Sequence, residues 1–270
     1  MPEPSVIYRS DAWRGRVLAA WQDVFARLDD WLEVPGEVVV SYDSRQVQRR
    51  ETANGIVYLK RIWALTDAGL HGNDWFSALK WIGRPSRALA CWRISRQLLA
   101  AGFRCAEPVL AARRRNCFGY PEDLIVTAAV PWPTLEAVLA AKKADDGRDI
   151  VALAARQLRE FHKAGFVHGD CILRNICLDG DGRLVYLDND RTKRPGPLNL
   201  FCSWKRNLAQ FGYSLRRCRP EQPEWLDVFY REYFAGQPWP SRLVEKQTAA
   251  IESRLAARLK RRNPIRPQNP

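Results

Sequence analysis

The sequence predicts an α+β chain of two lobes, a small antiparallel β-sheet lobe followed by a mostly helical one. Three observations carry that expectation. The first is Asn54-Gly55, a strong hairpin turn, set between Gln46 to Thr52 and the run Ile56 to Leu59, which read as strands. The second is Pro131-Trp132-Pro133, which interrupts regular structure and marks a candidate hinge near residue 130. The third is the helical spacing of apolar residues in nearly everything that follows it. The lobes are expected over residues 1–130 and 131–270.

Taken in order, Val17, Leu18, Trp21, Val24, Phe25, Leu28 and Trp31 recur at helical spacing and predict a leading amphipathic helix from Trp13 to Leu32, ended by Pro35-Gly36. Val38-Val39-Val40 is a strand that joins the hairpin. Arg61 to Arg84 is rich in Trp and Gly without clean periodicity and reads as loop and short helix. From Pro85 to Ala101, Ala88, Cys91, Trp92, Ser95, Leu98 and Leu99 share one helical face, and Gly102 stands where a helix C-cap belongs. Val109 to Ala112 and Asp123 to Ala129 are two further strands, which makes five in the first lobe. The second lobe holds helices over Leu135–Lys143, Ile150–Ala164, Cys202–Cys218, Glu224–Phe234 and Ser241–Lys260. No repeat of 20 to 50 residues is visible.

With 46% apolar and 27% charged residues, the 270-residue chain is ordered rather than disordered in composition. Its net charge of +13, from 43 Lys and Arg against 30 Asp and Glu, favours acidic partners: nucleic acid, an anionic membrane surface or a phosphorylated substrate. Nucleic acid is disfavoured, because the basic residues are dispersed and no recognised binding motif is present. No apolar run approaches the roughly 20 residues of a membrane span, and Met1 to Arg14 lacks a signal peptide's apolar core, so a cytoplasmic protein is expected. The seven cysteines include no CxxC pair and no His at zinc spacing, which points to reduced, mostly buried thiols.

The chemistry-bearing stretch is Phe166-Val167-His168-Gly169-Asp170-Cys171-Ile172-Leu173-Arg174-Asn175, followed by Asp179-Gly180-Asp181-Gly182 and Leu184-Val185-Tyr186-Leu187-Asp188-Asn189-Asp190. Asp-Gly-Asp-Gly is a turn between two short apolar strands, and its centre near 181 is the midpoint of 175 and 188. Pairing the strands is expected to set Asn175 beside Asp188, two hard oxygen ligands of the type Mg²⁺ takes together with phosphate oxygens and water. Asp170, in the loop after the helix that ends near Gly165, is placed to accept the proton of a substrate hydroxyl and is the candidate base.

His-x-Asp, then Asn five residues on, then Asp thirteen further resembles the catalytic loop and metal-binding Asp of the protein-kinase-like fold. The His-Gly-Asp form is similar to the small-molecule kinases of that superfamily, among them the aminoglycoside and choline phosphotransferases and the lipopolysaccharide kinases. Tyr58-Leu59-Lys60-Arg61, Arg84-Pro85-Ser86-Arg87-Ala88, Leu98 to Phe103, Asp188-Asn189-Asp190-Arg191 and Asn207-Leu208 resemble the bacterial lipopolysaccharide kinase family, which phosphorylates Kdo or heptose of the inner core. The resemblance spans roughly residues 40 to 217. It implies ATP as phosphoryl donor and Mg²⁺ as metal, with Lys60 on the α/β-phosphates, Asp170 as base, Asn175 and Asp188 as metal ligands and Asp190 in support. It implies lipopolysaccharide or a lipid-linked core sugar as substrate. Two features depart from the fold's pattern: Cys91 stands where a Glu would pair with the lysine, with Glu107 as a possible substitute, and no glycine-rich loop precedes Lys60.

Plainer roles compete at each position. Asp170, Asn175 and Asp188 could be turn or capping residues, Lys60 a surface lysine on an edge strand, His168 a packed residue that shapes its loop, and Cys171 and Cys177 packing residues. Trp75 and Trp81, beside His71 and Arg84, could line a sugar pocket. In the last helix Leu243, Val244, Ile251, Leu255 and Leu259 share a face, while Arg258, Lys260, Arg261, Arg262 and Arg266 crowd its end. That pattern suits a docked helix with a dipole-compatible end, or peripheral contact with an anionic inner membrane. The expected activity is an ATP- and Mg²⁺-dependent sugar kinase of the lipopolysaccharide inner core. The alternatives are an aminoglycoside- or choline-type phosphotransferase, which the excess of positive charge disfavours, and an impaired kinase-like scaffold in which Cys91 records lost activity.

Overall fold

The structure is a computed structural model that describes residues 3–10, 12–42, 44–63, 83–115, 119–235 and 241–262. The chain divides into two compact units, Met1–Pro131 and Trp132–Pro270.

The first unit contains β1 (Ser5–Ser10), β2 (Trp13–Leu18), a single 3₁₀ turn at Ala19–Trp21 and α1 (Leu28–Glu33). These are followed by β3 (Glu37–Tyr42), β4 (Arg45–Thr52), β5 (Gly55–Trp63), α2 (Arg87–Ala100), β6 (Arg104–Cys105), β7 (Pro108–Arg115) and β8 (Pro121–Ala128). Seven strands form one antiparallel sheet in the order β1-β2-β7-β8-β5-β4-β3, two more than the five expected.

The extra strands come from the segment that includes the expected leading helix. Trp13 and Val17 are buried while Arg14 and Arg16 are exposed, a period of two that the helical spacing of the larger residues obscured. Gly15 decides the matter, since it lies opposite Ala112 and a Cβ there would come within 1.9 Å of the Ala111 carbonyl oxygen. A glycine that weakens a helix thus permits close strand contact. Only Leu28–Glu33 of that segment forms an α-helix.

The β4–β5 hairpin is as expected but turns one residue earlier, through Ala53-Asn54, because Thr52 pairs with Gly55. Gly55 takes the left-handed conformation at φ 113°, and the Thr52 hydroxyl donates to its carbonyl (2.7 Å) while accepting from the Asn54 N–H (3.2 Å). Helix α2 starts at its Ser86 cap, whose Oγ accepts from Leu89 N–H, and ends in a Schellman turn at Gly102 (φ 83°), with Phe103 N–H donating to Leu98 and Gly102 N–H to Leu99. Asp123 on β8 ties this helix to the sheet: it accepts from Ser86 Oγ (2.6 Å), Arg87 N–H (2.9 Å) and both Nε and Nη2 of Arg113 (2.9 and 3.0 Å). Trp13, Leu18, Phe25, Leu28, Leu59, Leu98 and Val126 are buried in this unit, each worth about 1.5–3 kcal/mol on transfer from water.

The second unit contains α3 (Leu135–Ala141), α4 (Ala144–Lys163), β9 (Ile176–Leu178), β10 (Leu184–Tyr186), α5 (Pro197–Cys218), α6 (Glu224–Phe234) and α7 (Ser241–Arg262). Single 3₁₀ turns lie at Leu173–Asn175 and Asn189–Arg191. Helix α4 begins six residues before the expected Ile150, at Ala144. Its acidic first turn, Asp145 and Asp146, suits a helix N-terminus, and Gly147 admits the Trp225 ring, which a Cβ would meet at 2.2 Å. Helix α5 likewise starts at Pro197, a residue well suited to a first turn. The core stacks Phe161 on Tyr186 (centroids 4.3 Å apart) and Phe211 on Phe229 (4.4 Å). Helix α7 packs against α5 with Ile251 fully buried, but most side chains of its expected membrane-facing end lie outside the described residues. Trp75, Trp81 and His71 also lie outside them.

Candidate active site

The site is built on the loop between α4 and β9. Val167 and Lys193 exchange backbone hydrogen bonds (2.9 and 3.0 Å), which zips this loop to the segment after β10. Gly169 N–H donates to Thr192 Oγ1 (3.4 Å), Thr192 Oγ1 donates to Asn189 Oδ1 (3.1 Å), and Asn189 Nδ2 donates to the Tyr186 carbonyl (3.2 Å). The approach is close enough that a Cβ on Gly169 would stand 2.2 Å from Arg191 Cβ. The His-Gly-Asp motif therefore has its glycine for lack of space.

His168 is buried and fixes the loop from inside. Its Nδ1 accepts from Asp170 N–H (3.1 Å), so Nε2 carries the proton and donates to the Leu187 carbonyl (2.8 Å). Burial pulls its pKa below the usual imidazole value, keeping the ring neutral. The shaping role fits this geometry. Cys171 and Cys177 are buried free thiols; burial pushes the Cys171 thiol far up and that of Cys177 up to about 11, so neither is poised for redox or metal chemistry.

Asn175 closes the loop. Its Nδ2 donates to the Asp170 carbonyl (2.9 Å), and its own carbonyl accepts from Leu187 N–H (2.9 Å). The β9–β10 register, Ile176 opposite Tyr186, carries on to Asn175 opposite Leu187. Asn175 therefore lies across from the residue just before Asp188, one position from the expected pairing, because the turn over 179–183 centres on 181 rather than 181.5. Asp179 holds that turn, its Oδ1 accepting from the N–H groups of Asp181 (2.9 Å) and Arg183 (2.8 Å).

Asp188 is exposed and left-handed, φ 51° and ψ 55°, the sole non-glycine residue with positive φ among the described residues. Asp tolerates this conformation better than most residues, and such strain collects at functional sites. Asp190 is half-buried in the 3₁₀ turn that follows.

Lys60 belongs to the first unit. It lies on β5, which has β4 and β8 on either side, so the edge-strand explanation is removed. It pairs with Val47 and Ile125 and is half-buried. Cys91 is a core residue of α2, and Glu107 faces Arg96 (3.7 Å) with its carboxyl pKa raised chiefly by burial. Two cavities in this unit, about 400 Å³ beside Tyr8 and Arg9 and about 270 Å³ beside Trp31 and Arg50, contain none of the site residues.

Sequence reasoning expected the helix beneath the loop and quoted Asn207, but gave Gln210 and Ser214 no role. On α5, Asn207, Gln210 and Ser214 are buried at spacings of three and four. Asn207 Oδ1 accepts from His168 N–H (2.8 Å) and its Nδ2 donates to the His168 carbonyl (2.7 Å); Gln210 Oε1 accepts from Cys171 N–H (3.3 Å); Ser214 Oγ accepts from Leu173 N–H (3.1 Å). Gln210 Nε2 also donates to Asp170 Oδ1 (2.9 Å). Behind Asn207, His162 donates from Nε2 to the same Oδ1 (3.1 Å) and accepts from the Tyr233 hydroxyl at Nδ1 (2.8 Å). The available signal was this polar stripe within the otherwise apolar text Trp204, Leu208, Phe211, Leu215.

The fold is that of the protein-kinase-like phosphotransferases. A solved structure titled "WaaP in complex with acyl carrier protein" matches with a TM-score of 0.60 at 19% identity, over 91% of this chain and 97% of that one. A search of curated proteins gives no match. The model of the lipopolysaccharide kinase (Kdo/WaaP) family matches residues 29–231, well over half of the sequence, and the chain belongs to that family. It is a phosphotransferase acting on a sugar hydroxyl of the lipopolysaccharide inner core.

Proposed function

We propose that this kinase transfers the γ-phosphoryl group of ATP to a hydroxyl of Kdo or heptose at the cytoplasmic face of the inner membrane, with Asp170 as base, Asn175 and Asp188 as metal ligands, Asp190 in support of them and Lys60 on the α/β-phosphates. The observation that carries the reading is the closure of the 168–175 loop onto Leu187, which joins Asp170 and Asn175 by hydrogen bonds to the residue just before the strained Asp188. Asn175 is anchored through its amide nitrogen, so its oxygen is the atom left to meet a cation. That oxygen and the Asp188 carboxylate are the hard donors Mg²⁺ takes, while phosphates and water complete its shell. Bound there, Mg²⁺ would neutralise charge on the transferring phosphoryl group.

The protein's own contribution is positioning. Asp170 orients the sugar hydroxyl and accepts its proton as the new P–O bond forms and the bond from the γ-phosphorus to the departing ADP breaks. The net charge of +13 suits an acceptor rich in carboxylate and phosphate. Peripheral contact with anionic lipid through the basic end of α7 belongs to the same reading, and no helix among the described residues is long and apolar enough to cross a membrane. Equal liposome co-sedimentation of the full chain and a 1–254 truncation would remove that contact.

The test is transfer from labelled ATP, with Mg²⁺, to purified lipopolysaccharide cores that lack inner-core phosphate. Asp170→Asn and Asp188→Asn are each expected to abolish incorporation while the melting temperature stays within a few degrees of wild type. Near wild-type turnover by either variant refutes its assignment. No incorporation by wild-type protein that still binds ATP would point to another acceptor, such as an amino alcohol, or to a scaffold.

A further inference from the structure

We infer that Gln210 is a positioning residue that sets the orientation of the Asp170 carboxylate, an inference that rests on Asp170 acting as the base.

Helix α5 supports the loop at three successive points. The N–H groups of His168, Cys171 and Leu173 meet Asn207 Oδ1, Gln210 Oε1 and Ser214 Oγ in turn, so the loop's path is copied from the helix beneath it. Satisfying buried N–H groups would be reason enough for polar residues here. Gln210 does more, because Nε2 of the same amide donates to Asp170 Oδ1 at 2.9 Å. No other side chain in this stripe reaches a carboxylate.

The residue type follows from those two demands. At a site only 2% exposed, one side chain must accept from Cys171 N–H and donate to Asp170. A carboxylate can only accept, and an ammonium can only donate. A hydroxyl can do both but sits too close to its own backbone to span the two partners. A glutamine amide meets both demands, and its own rotation is fixed by Asn207 Nδ2, which donates to Gln210 Oε1 (3.3 Å). Asn207 is in turn held by two backbone groups of His168 and by His162. The carboxylate is thereby indexed, through Gln210 and Asn207, to the buried end of α4 rather than left to find its rotamer in solvent. A donor fixed on one carboxylate oxygen sets which lone pairs the other presents to an incoming hydroxyl.

Gln210→Glu separates this role from simple loop support. The substituted carboxylate keeps the acceptor for Cys171 N–H and Asn207 Nδ2, but in place of the donation it sets a second carboxylate against Asp170. The expected result is a kcat lowered about tenfold or more with the KM for ATP changed less than about twofold, since a charge-assisted bond is lost and a like charge is added at the base alone. Gln210→Met, which carries no charge to repel Asp170, is expected to lower kcat in the same direction with a lower melting temperature. In an Asp170→Asn background, Gln210→Glu should leave the residual rate unchanged. Wild-type turnover by Gln210→Glu, with Asp170→Asn inactive, would overturn the inference while leaving the base in place. An equal loss in the Asp170→Asn background would mark a merely structural role and overturn it too. Full activity of Asp170→Asn would remove the base assignment and this inference with it.

Discussion

Replacing Gly169 with alanine tests how tightly the catalytic loop is held against the turn after β10. Gly169 does not need the left-handed conformation, so any penalty must come from space. The new Cβ would lie 2.2 Å from Arg191 Cβ, 2.7 Å from Arg191 C and 2.8 Å from Arg191 Cα. Two of those atoms are backbone, so no side-chain rotation relieves the clash. Ordinary carbon contacts begin near 3.5 Å, and the two strands of chain must part by roughly 1 Å. The paired hydrogen bonds of Val167 and Lys193, about 1 kcal/mol each, resist that movement on one side. The Arg206 guanidinium, donating to the Gly169 carbonyl at 3.2 Å, resists it on the other. Overpacking of this kind costs about 1–3 kcal/mol, which should lower the melting temperature by several degrees. Asp170, the proposed base, is the next residue, and a displacement of about 1 Å at a reacting group can cost on the order of a hundredfold in rate. Thermal melts and steady-state kinetics of Gly169→Ala would be compared with Gly196→Ala, where nothing lies within 4 Å of the added carbon. Wild-type stability and kcat in Gly169→Ala would refute the reasoning.

Two further perturbations probe the scaffold of each unit. His162 is fully buried and its pKa is pulled down to about 4, chiefly by desolvation, against an ordinary value of 6.5. The unfolded chain therefore takes up a proton between pH 6.5 and 4 that the folded chain refuses, so stability falls as pH falls through that window, by about 3 kcal/mol at most. Burial shifts His168 in the same direction, so His162→Gln should flatten part of the slope of urea stability against pH between 7.5 and 5; an unchanged slope would contradict the assignment. In the first unit, Asp123→Ala strands the largely buried Arg113 guanidinium and removes the acceptor of Ser86 Oγ and Arg87 N–H at the start of α2, and should cost about 3–5 kcal/mol in urea unfolding, part of which Arg113→Met in the same chain restores. A loss under 1 kcal/mol would show that the pair does not anchor α2.

What the sequence by itself determined was the chemistry and its local frame. Asp170, Asn175 and Asp188 stand out because loop carboxylates and amides at fixed offsets around a short hairpin are read from spacing alone, and the turn between β9 and β10 needs only Asp179 and its glycines. The β4–β5 hairpin and the capped helix α2 were legible for the same reason: their hydrogen bonds run between near neighbours in the chain. Tertiary structure alone decided the rest. Trp13 to Leu18 suited a helix by its large apolar residues, and became a strand because β1 and a segment nearly a hundred residues away, β7, offered partners and Gly15 offered the space. Gln210 carries no loop signature; it matters because folding lays a helix 40 residues downstream beneath Asp170, where a buried amide can meet an N–H and a carboxylate at once. Spacing records interactions that the chain makes with itself over a few residues, whereas a buried donor's partner is chosen by which elements pack together.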